Sequence, residues 1–295
     1  MHLSDGSWES LLAQAIDYAG LFPPASLSLA LAASNYDSYL RSRDAWALGR
    51  FIVPEARAGE LLDLLEKPGE RSGWRIGLTL GEPAGLDRDR LDSLQSRARD
   101  LGVTLDSFEI KVESAAAVGT VGEILSARGI WYAEVDSRFA PHQPAVLDAL
   151  VRHGGRAKLR LGGVTADAFP APERVAEFLI AVTQRRLPFK ATAGLHHPIR
   201  GRYRLRYDDD APVAMMYGYL NLFAAVAAAQ TGASRSELIE VLLETDPAVL
   251  LGAPRSGVGA GFEPGAVARL RRGFDGFGSC SFREPIDELA LAVNP

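Results

Sequence analysis

Four successive segments of this chain each carry one apolar face and one ionisable face, and few folds accommodate such a series. In "FEIKV" (108–112), Phe108, Ile110 and Val112 alternate with Glu109 and Lys111. In "IWYAEVD" (130–136), Trp131, Ala133 and Val135 alternate with Glu134 and Asp136. Ala157, Leu159 and Leu161 then oppose Lys158 and Arg160, and Phe189, Ala191 and Ala193 oppose Lys190 and Thr192. Successive side chains of a strand point to opposite faces, so each segment reads as a strand with one wet and one dry side.

These segments belong to a longer rhythm. Further strands read at 50–54, 75–80 and 279–282, with helices near 56–67, 87–101, 114–127, 143–153 and 172–186. Strand and helix alternating in this way indicate repeated βαβ units and a parallel sheet. In an open doubly wound sheet both faces are covered by helices, so central strands read as near-continuous apolar runs. A closed barrel accounts for the alternation instead: apolar residues face the surrounding helices and ionisable ones point inward. The fold expected is therefore α/β, a (β/α)8 barrel over residues 46–295 preceded by a helical extension over 1–45. Seven strands are visible, and the eighth is expected within the uncharged segment 211–229 or in "VLLG" at 249–252. In this reading "DYAGLFPP", with Asp17 and Tyr18, ends a helix at Gly20 and the Pro23–Pro24 pair, the alternative being that Asp17 and Tyr18 cap the barrel or reach its mouth.

An isolated ion inside a barrel loses several kcal/mol or more of hydration, so these charges must pair. Glu109, Lys111, Glu134, Asp136, Lys158, Arg160 and Lys190 nearly neutralise one another. An ion-pair network that only fills the barrel is the plain alternative. Barrel interiors are ordinarily filled by branched apolar residues, and Asp136, Arg160, Lys190 and Thr192 fall near strand C-terminal ends, where barrel enzymes place their chemistry.

Composition narrows the partners. The net charge is −5 and no basic cluster has the density that binding a phosphate backbone needs, so neither nucleic acid nor a membrane surface is expected as a partner. The segment 211–229 approaches the length of a membrane span but is largely alanine and contains Pro212 and Asn221, which reads better as a helix in a protein core. Cys280 is the one cysteine, which suits a reducing compartment. The early acids Asp5, Glu9 and Asp17 stand where a secretory signal would be basic, so the chain is read as cytoplasmic. Homo-oligomerisation is left open.

Lysine is normally protonated, but desolvation and neighbouring cations lower its pKa and free the amine for Schiff-base chemistry. Lys190, beside the strand bearing Lys158 and Arg160, is expected to be activated in this way, with Glu134 or Asp136 moving protons. "KATAG" at 190–194 resembles the K-x-[ST]-x-G strand end of class I aldolases of the deoxyribose-phosphate aldolase type. "KLRLGGVT" at 158–165 is similar to their second lysine strand. The resemblance implies that Lys190 forms the imine, that Lys158 perturbs it, and that Asp136 or Glu134 relays protons. As a set, "DYAGLFPPASL", "KATAGLHHP" and "FGSCSFREP" also resemble an uncharacterised bacterial protein family, which implies no activity.

The expected function is a lyase of aldolase or dehydratase type acting on a small polar carbonyl compound, without a cofactor. Lys190, Lys158, Glu134 and Asp136 are the catalytic candidates. Arg160, expected to hold a carboxylate or phosphate, is joined at the substrate by Lys111, Glu109, Thr192, His196, His197, Ser281 and Arg283. One alternative is a metal-dependent hydrolase or lyase in which His196, His197 and Glu134 hold a divalent ion; another is a non-catalytic barrel that binds a small anion. His196 and His197 thus stand between ligand, proton carrier and loop residue. Ser279, Ser281 and Arg283 share one face of the last strand, which turns Cys280 outward as a structural thiol. "GVGAGFEPG" (257–265) reads as a loop, since no strand leads into it as a dinucleotide fingerprint requires. The stretch around Asp208–Asp210 reads as an exposed excursion able to cover the site.

Overall fold

Eight parallel strands close into one barrel in the computed structural model, which describes residues 5–66, 72–136, 143–251 and 264–293. In chain order the strands are β1 (Ile16–Tyr18), β2 (Leu48–Pro54), β3 (Arg75–Thr79), β4 (Thr104–Lys111), β5 (Ile130–Val135), β6 (Arg156–Arg160), β7 (Phe189–Thr192), β8 (Gly201–Arg204), β9 (Val213–Met216) and β10 (Phe274–Ser279). Around the barrel the order is β1-β10-β7-β6-β5-β4-β3-β2, while β8 and β9 form a separate antiparallel hairpin. Among the described residues the helices are α1 (Asp5–Leu12), α2 (Leu29–Leu40), α3 (Glu55–Leu65), α4 (Arg88–Asp100), α5 (Ala115–Leu125), α6 (Gln143–Arg152), α7 (Pro172–Gln184), α8 (Tyr219–Gln230), α9 (Arg235–Leu243), α10 (Pro247–Leu251), α11 (Pro264–Gly273) and α12 (Arg283–Val293).

Parallel neighbours need a crossover, and helices supply one between each successive pair of barrel strands. Their starts are written locally: the Asp87 side chain accepts from Arg90 N (3.0 Å) ahead of α4, and Ser114 accepts from Ala117 N (3.2 Å) ahead of α5. The dry faces of the strands form the core. Phe108, Trp131, Ala133, Ala157, Leu159, Phe189 and Ala191 are all buried. Phe189 meets Phe178 of α7 with ring centroids 5.2 Å apart, and Phe277 of β10 stacks on Tyr219 of α8 at 5.0 Å.

The eighth strand is not where the sequence pattern pointed. Ile16-Asp17-Tyr18, inside the stretch read as a helical extension, is β1. It pairs with β10 on one side and β2 on the other, and so closes the barrel. Three residues are too few for alternation to register against a neighbouring helix and the Gly and Pro stops. The packing is nonetheless that of a barrel strand: Tyr18 stacks outward against Phe51 and Tyr36, while Asp17 points inward. The two other locations hold different structure. Residues 211–229 divide between β9 and α8, and Val249–Leu251 fall in α10. Among the described residues no helix is long and apolar enough to cross a membrane. The stretch 257–265 lies mostly outside the described residues.

The last strand is also displaced. It runs over Phe274–Ser279 rather than 279–282, with Gly276 at φ +139° beside a register shift. Glycine-rich "FDGFGS" hides its strand character because Gly276 and Gly278 have no side chain to show alternation. Gly276 is required there, since a Cβ would collide with the backbone of Ala15, the residue just before β1.

Candidate functional site

The ionisable faces of the strands converge at one level of the barrel. Lys158 and Lys190 are register partners on β6 and β7, and Glu134 on β5 is in register with Lys158. Glu109 reaches in from β4, two strands from Lys158, and bridges both lysines: Oε1 lies 2.6 Å from Lys190 Nζ and Oε2 lies 2.8 Å from Lys158 Nζ. Lys158 also donates to Glu134 Oε2 at 2.9 Å. Lys190 donates in addition to Asp17 Oδ2 on β1, and the other oxygen of Asp17 accepts the Arg50 backbone N–H at 2.6 Å. Beneath this set Arg50 forks onto Asp106 (2.7 and 3.1 Å), and Asp275 accepts from Tyr132 (3.0 Å) and Arg156 (2.7 Å). The Tyr132 ring lies 5.2 Å from Lys190 Nζ, a cation–π contact.

This geometry reverses the expectation for Lys190. Burial by itself would lower its pKa, but Asp17 and Glu109 outweigh burial and raise it, so the resting side chain is an ammonium. Lys158 behaves likewise: burial lowers its pKa, and Glu109 with Glu134 carries it above the ordinary lysine value. Burial would raise Glu109, yet the two lysines hold its carboxyl down at about 2. The sequence placed cations around Lys190, whereas the fold places carboxylates there. The amine is charged because its nearest partners are anions.

Above the lysines opens a cavity of about 370 Å³. Lys158, Lys190, Glu109 and Glu134 form its floor, the register partners Arg160 and Thr192 stand one step higher, and Lys111, His196 and His197 also line it. Lys111 is not inside the barrel: its side chain is 68% exposed, with Glu113 3.6 Å away. Arg160 is exposed and donates from Nε to Gly162 O at 3.0 Å. Asp136 lies half-buried just past β5 and outside the cavity lining. Ser281 and Arg283 do not line it either. They follow β10, where Ser281 Oγ accepts Glu284 N (3.1 Å) at the start of α12 and Arg283 pairs with Asp44 and Asp287.

No family model and no curated protein matches this chain. Among solved structures it is similar to DHODH from Eimeria tenella in a crystal complex with ferulenol, at 10% identity and a TM-score of 0.33. The match covers 49% of this chain and 53% of that one, about half of each. The site is therefore read from its own geometry.

The two histidines are carried to the mouth by the sharp end of β7. Ala193 (φ +62°) and Gly194 (φ +70°) turn the chain, and Gly194 passes so close to Gly162 that a Cβ on Gly162 would lie 2.9 Å from its Cα. This contact explains the glycines that end both lysine strands. Beyond the turn, His196 Nδ1 lies 3.1 Å from Glu284 Oε2 and 3.3 Å from Ser279 Oγ. His197 Nδ1 lies 2.8 and 2.9 Å from the oxygens of Glu288, with its ring stacked on Tyr203 at 3.4 Å.

The metal set expected from sequence does not assemble, because Glu134 is bonded to Lys158 at the floor. Among the described residues, the three donors that converge are His197, Glu284 and Glu288, within 4.8 Å of one another. Hydrogen bonds to Glu288, His196 and Tyr207 already account for that convergence, and an ion there would have to displace them.

Cys280 is the clearest departure. It lines the cavity rather than packing outward, with Sγ 3.9 Å from His196 Nδ1, 4.0 Å from His196 Nε2 and 3.5 Å from the Tyr207 hydroxyl. Because β10 ends at Ser279, Cys280 is the first residue beyond the strand's C-terminal end, where alternation no longer decides direction. The excursion around Asp208–Asp210 belongs to the β8–β9 hairpin, and Arg204, Leu205, Arg206 and Tyr207 form one wall of the cavity. Two acids complete the site. Asp17, for which the sequence favours a helix end over a reach to the barrel mouth, lies on a barrel strand, and Glu284, which carries no sequence signal, comes from α12.

Proposed function

We propose that this chain is an enzyme of the lyase type, acting on a small polar carbonyl compound whose carbonyl oxygen is held against the ammonium groups of Lys158 and Lys190. The observation that carries this reading is the in-register lysine pair, bridged by buried Glu109, at the floor of an open cavity. Two fixed cations placed where an oxyanion develops stabilise an enolate without reorganisation. A base beside them then removes a proton from the carbon next to the carbonyl.

Glu134 is placed to be that base. Its side chain is 21% exposed at the cavity, against 3% for Glu109 and 11% for Asp17, and Lys158 holds it in position. Arg160, exposed on the cavity wall, receives a carboxylate or phosphate at the far end of the substrate. The chemistry needs no cofactor: Glu134 carries the proton and the lysines carry the developing charge. Imine formation on Lys190 would first require Asp17 or Glu109 to take its proton, and the resting ion pairs favour the ammonium role instead.

The test is to incubate the protein with a panel of 2-oxo acids and β-hydroxy carbonyl compounds in deuterated water, following exchange at the α-carbon by NMR with borohydride added in parallel. The expected result is exchange and turnover that Glu134→Gln and Lys158→Met strongly reduce, with no lysine trapped. A borohydride-dependent mass increase on Lys190 or Lys158 would replace this reading with imine catalysis. Binding without exchange would leave an anion-binding barrel.

A further inference from the structure

The cavity carries a second group of reactive side chains that the lysine chemistry does not use. Cys280, His196, Glu284 and Tyr207 meet at its mouth, above the floor formed by Lys158 and Lys190. The thiol lies 3.9–4.0 Å from both ring nitrogens of His196, and Glu284 Oε2 sits 3.1 Å from His196 Nδ1 and accepts from the Tyr207 hydroxyl at 3.1 Å. Nucleophile, base and orienting carboxylate are thus in contact, the arrangement that activates a cysteine. Cys280 is 5% exposed, and its opening is to the cavity.

We propose that Cys280 and His196 form a conjugate-addition site at the cavity mouth, where the thiol adds to the β-carbon of an α,β-unsaturated carbonyl compound. The electrophile class rests on the lyase reading above, because loss of water from a β-hydroxy carbonyl compound at the floor would generate such a product within the same cavity. His196, held as an imidazolium between Glu284 and Cys280, already carries the thiol's proton, and the thiolate Sγ forms a bond to the β-carbon. The π electrons of the carbon–carbon bond pass to the enolate, and His196 returns the proton to the α-carbon. The step is a net addition in which nothing is oxidised or reduced. The electrostatics agree: burial would raise the Cys280 thiol, but His196 and Tyr207 more than offset it and lower its pKa. Burial would lower the His196 imidazole, and Cys280 and Glu284 raise it.

The single cysteine makes the test direct. The folded full-length protein is treated with N-ethylmaleimide, itself an α,β-unsaturated carbonyl compound, and followed by intact mass. One addition is expected, absent in Cys280→Ser, at a rate that near pH ~6 exceeds that of an unstructured cysteine peptide by about ten-fold. His196→Ala should lose that excess. Glu284→Gln, which keeps the side chain's shape, should reduce it and covers the case in which the histidine variant fails to fold. Lys158→Met should still label at the native rate, so failure of the lyase reading and failure of the thiol site give different results. Absence of addition to the folded protein, or a rate unchanged by both His196→Ala and Glu284→Gln, would overturn the proposal.

Discussion

Asp17 on the first strand of the barrel and Lys190 on the seventh are ion-paired across 173 residues of sequence. The contact spans β10, the strand between them, and is available only because the barrel is closed. Lys190 is 2% exposed, and its charge depends on Asp17 and Glu109 together.

Replacing Lys190 by methionine strips Asp17 of its cation and leaves Glu109 paired with Lys158 alone. Breaking a buried pair from one side costs about 3–5 kcal/mol. Urea denaturation of Lys190→Met is expected to show a loss of that order, and adding Asp17→Asn should recover part of it. An unchanged midpoint would show that the pair does not support the fold.

Glu134→Gln separates chemistry from folding. Glu134 is partly open to the cavity and its replacement keeps the volume, so the melting temperature should hardly move. Turnover should fall by about 10²–10⁴, the range expected for loss of a general base, with KM little changed. A variant with near-native turnover would remove Glu134 from the mechanism.

The depressed Glu109 carboxyl predicts an acid limit. Its folded pKa of about 2 lies below the ordinary glutamate value of 4.5, so the stability it contributes is complete above pH 4.5 and is lost as pH falls through about 2. Denaturant titrations between those values should show stability declining in the native chain. The decline should be shallower in Glu109→Gln, although that variant is less stable at neutral pH.

His196 sets the opposite limit. Its pKa is raised from 6.5 to about 10, so the stabilisation is complete below pH 6.5 and is lost as pH rises through about 10. Stability measured across this window should fall in the native chain and less steeply in His196→Gln. Equal slopes would show that the imidazolium is not held as described.

His197 is bonded to Glu288, and Glu284 to His196 and Tyr207, so all three side chains are satisfied without an ion. Dialysis against EDTA should therefore leave turnover intact. Activity lost on chelation and restored by zinc or manganese would assign these three residues to a metal instead.

The class of fold and the inward direction of the central lysines are written in the strand alternation. Alternation at Glu109, Glu134, Lys158 and Lys190 reports the direction of each side chain directly, because in a strand direction follows from position along the chain. Closure was invisible to that rule: β1 is three residues long, and β10 is interrupted by Gly276 and Gly278. A hidden β1 gives Asp17 no inward direction in the sequence, and without Asp17 beside Lys190 the neighbouring cations alone predict a shift of the opposite sign. Past a strand end the chain turns and periodicity no longer predicts direction. Cys280 therefore turns into the cavity, and Glu284 arrives from α12 to meet His196; Lys111, the last residue of β4, keeps its register but reaches solvent at the cavity rim. A pKa depends on the nearest charges in space, and those are set by which strands become neighbours when the barrel closes.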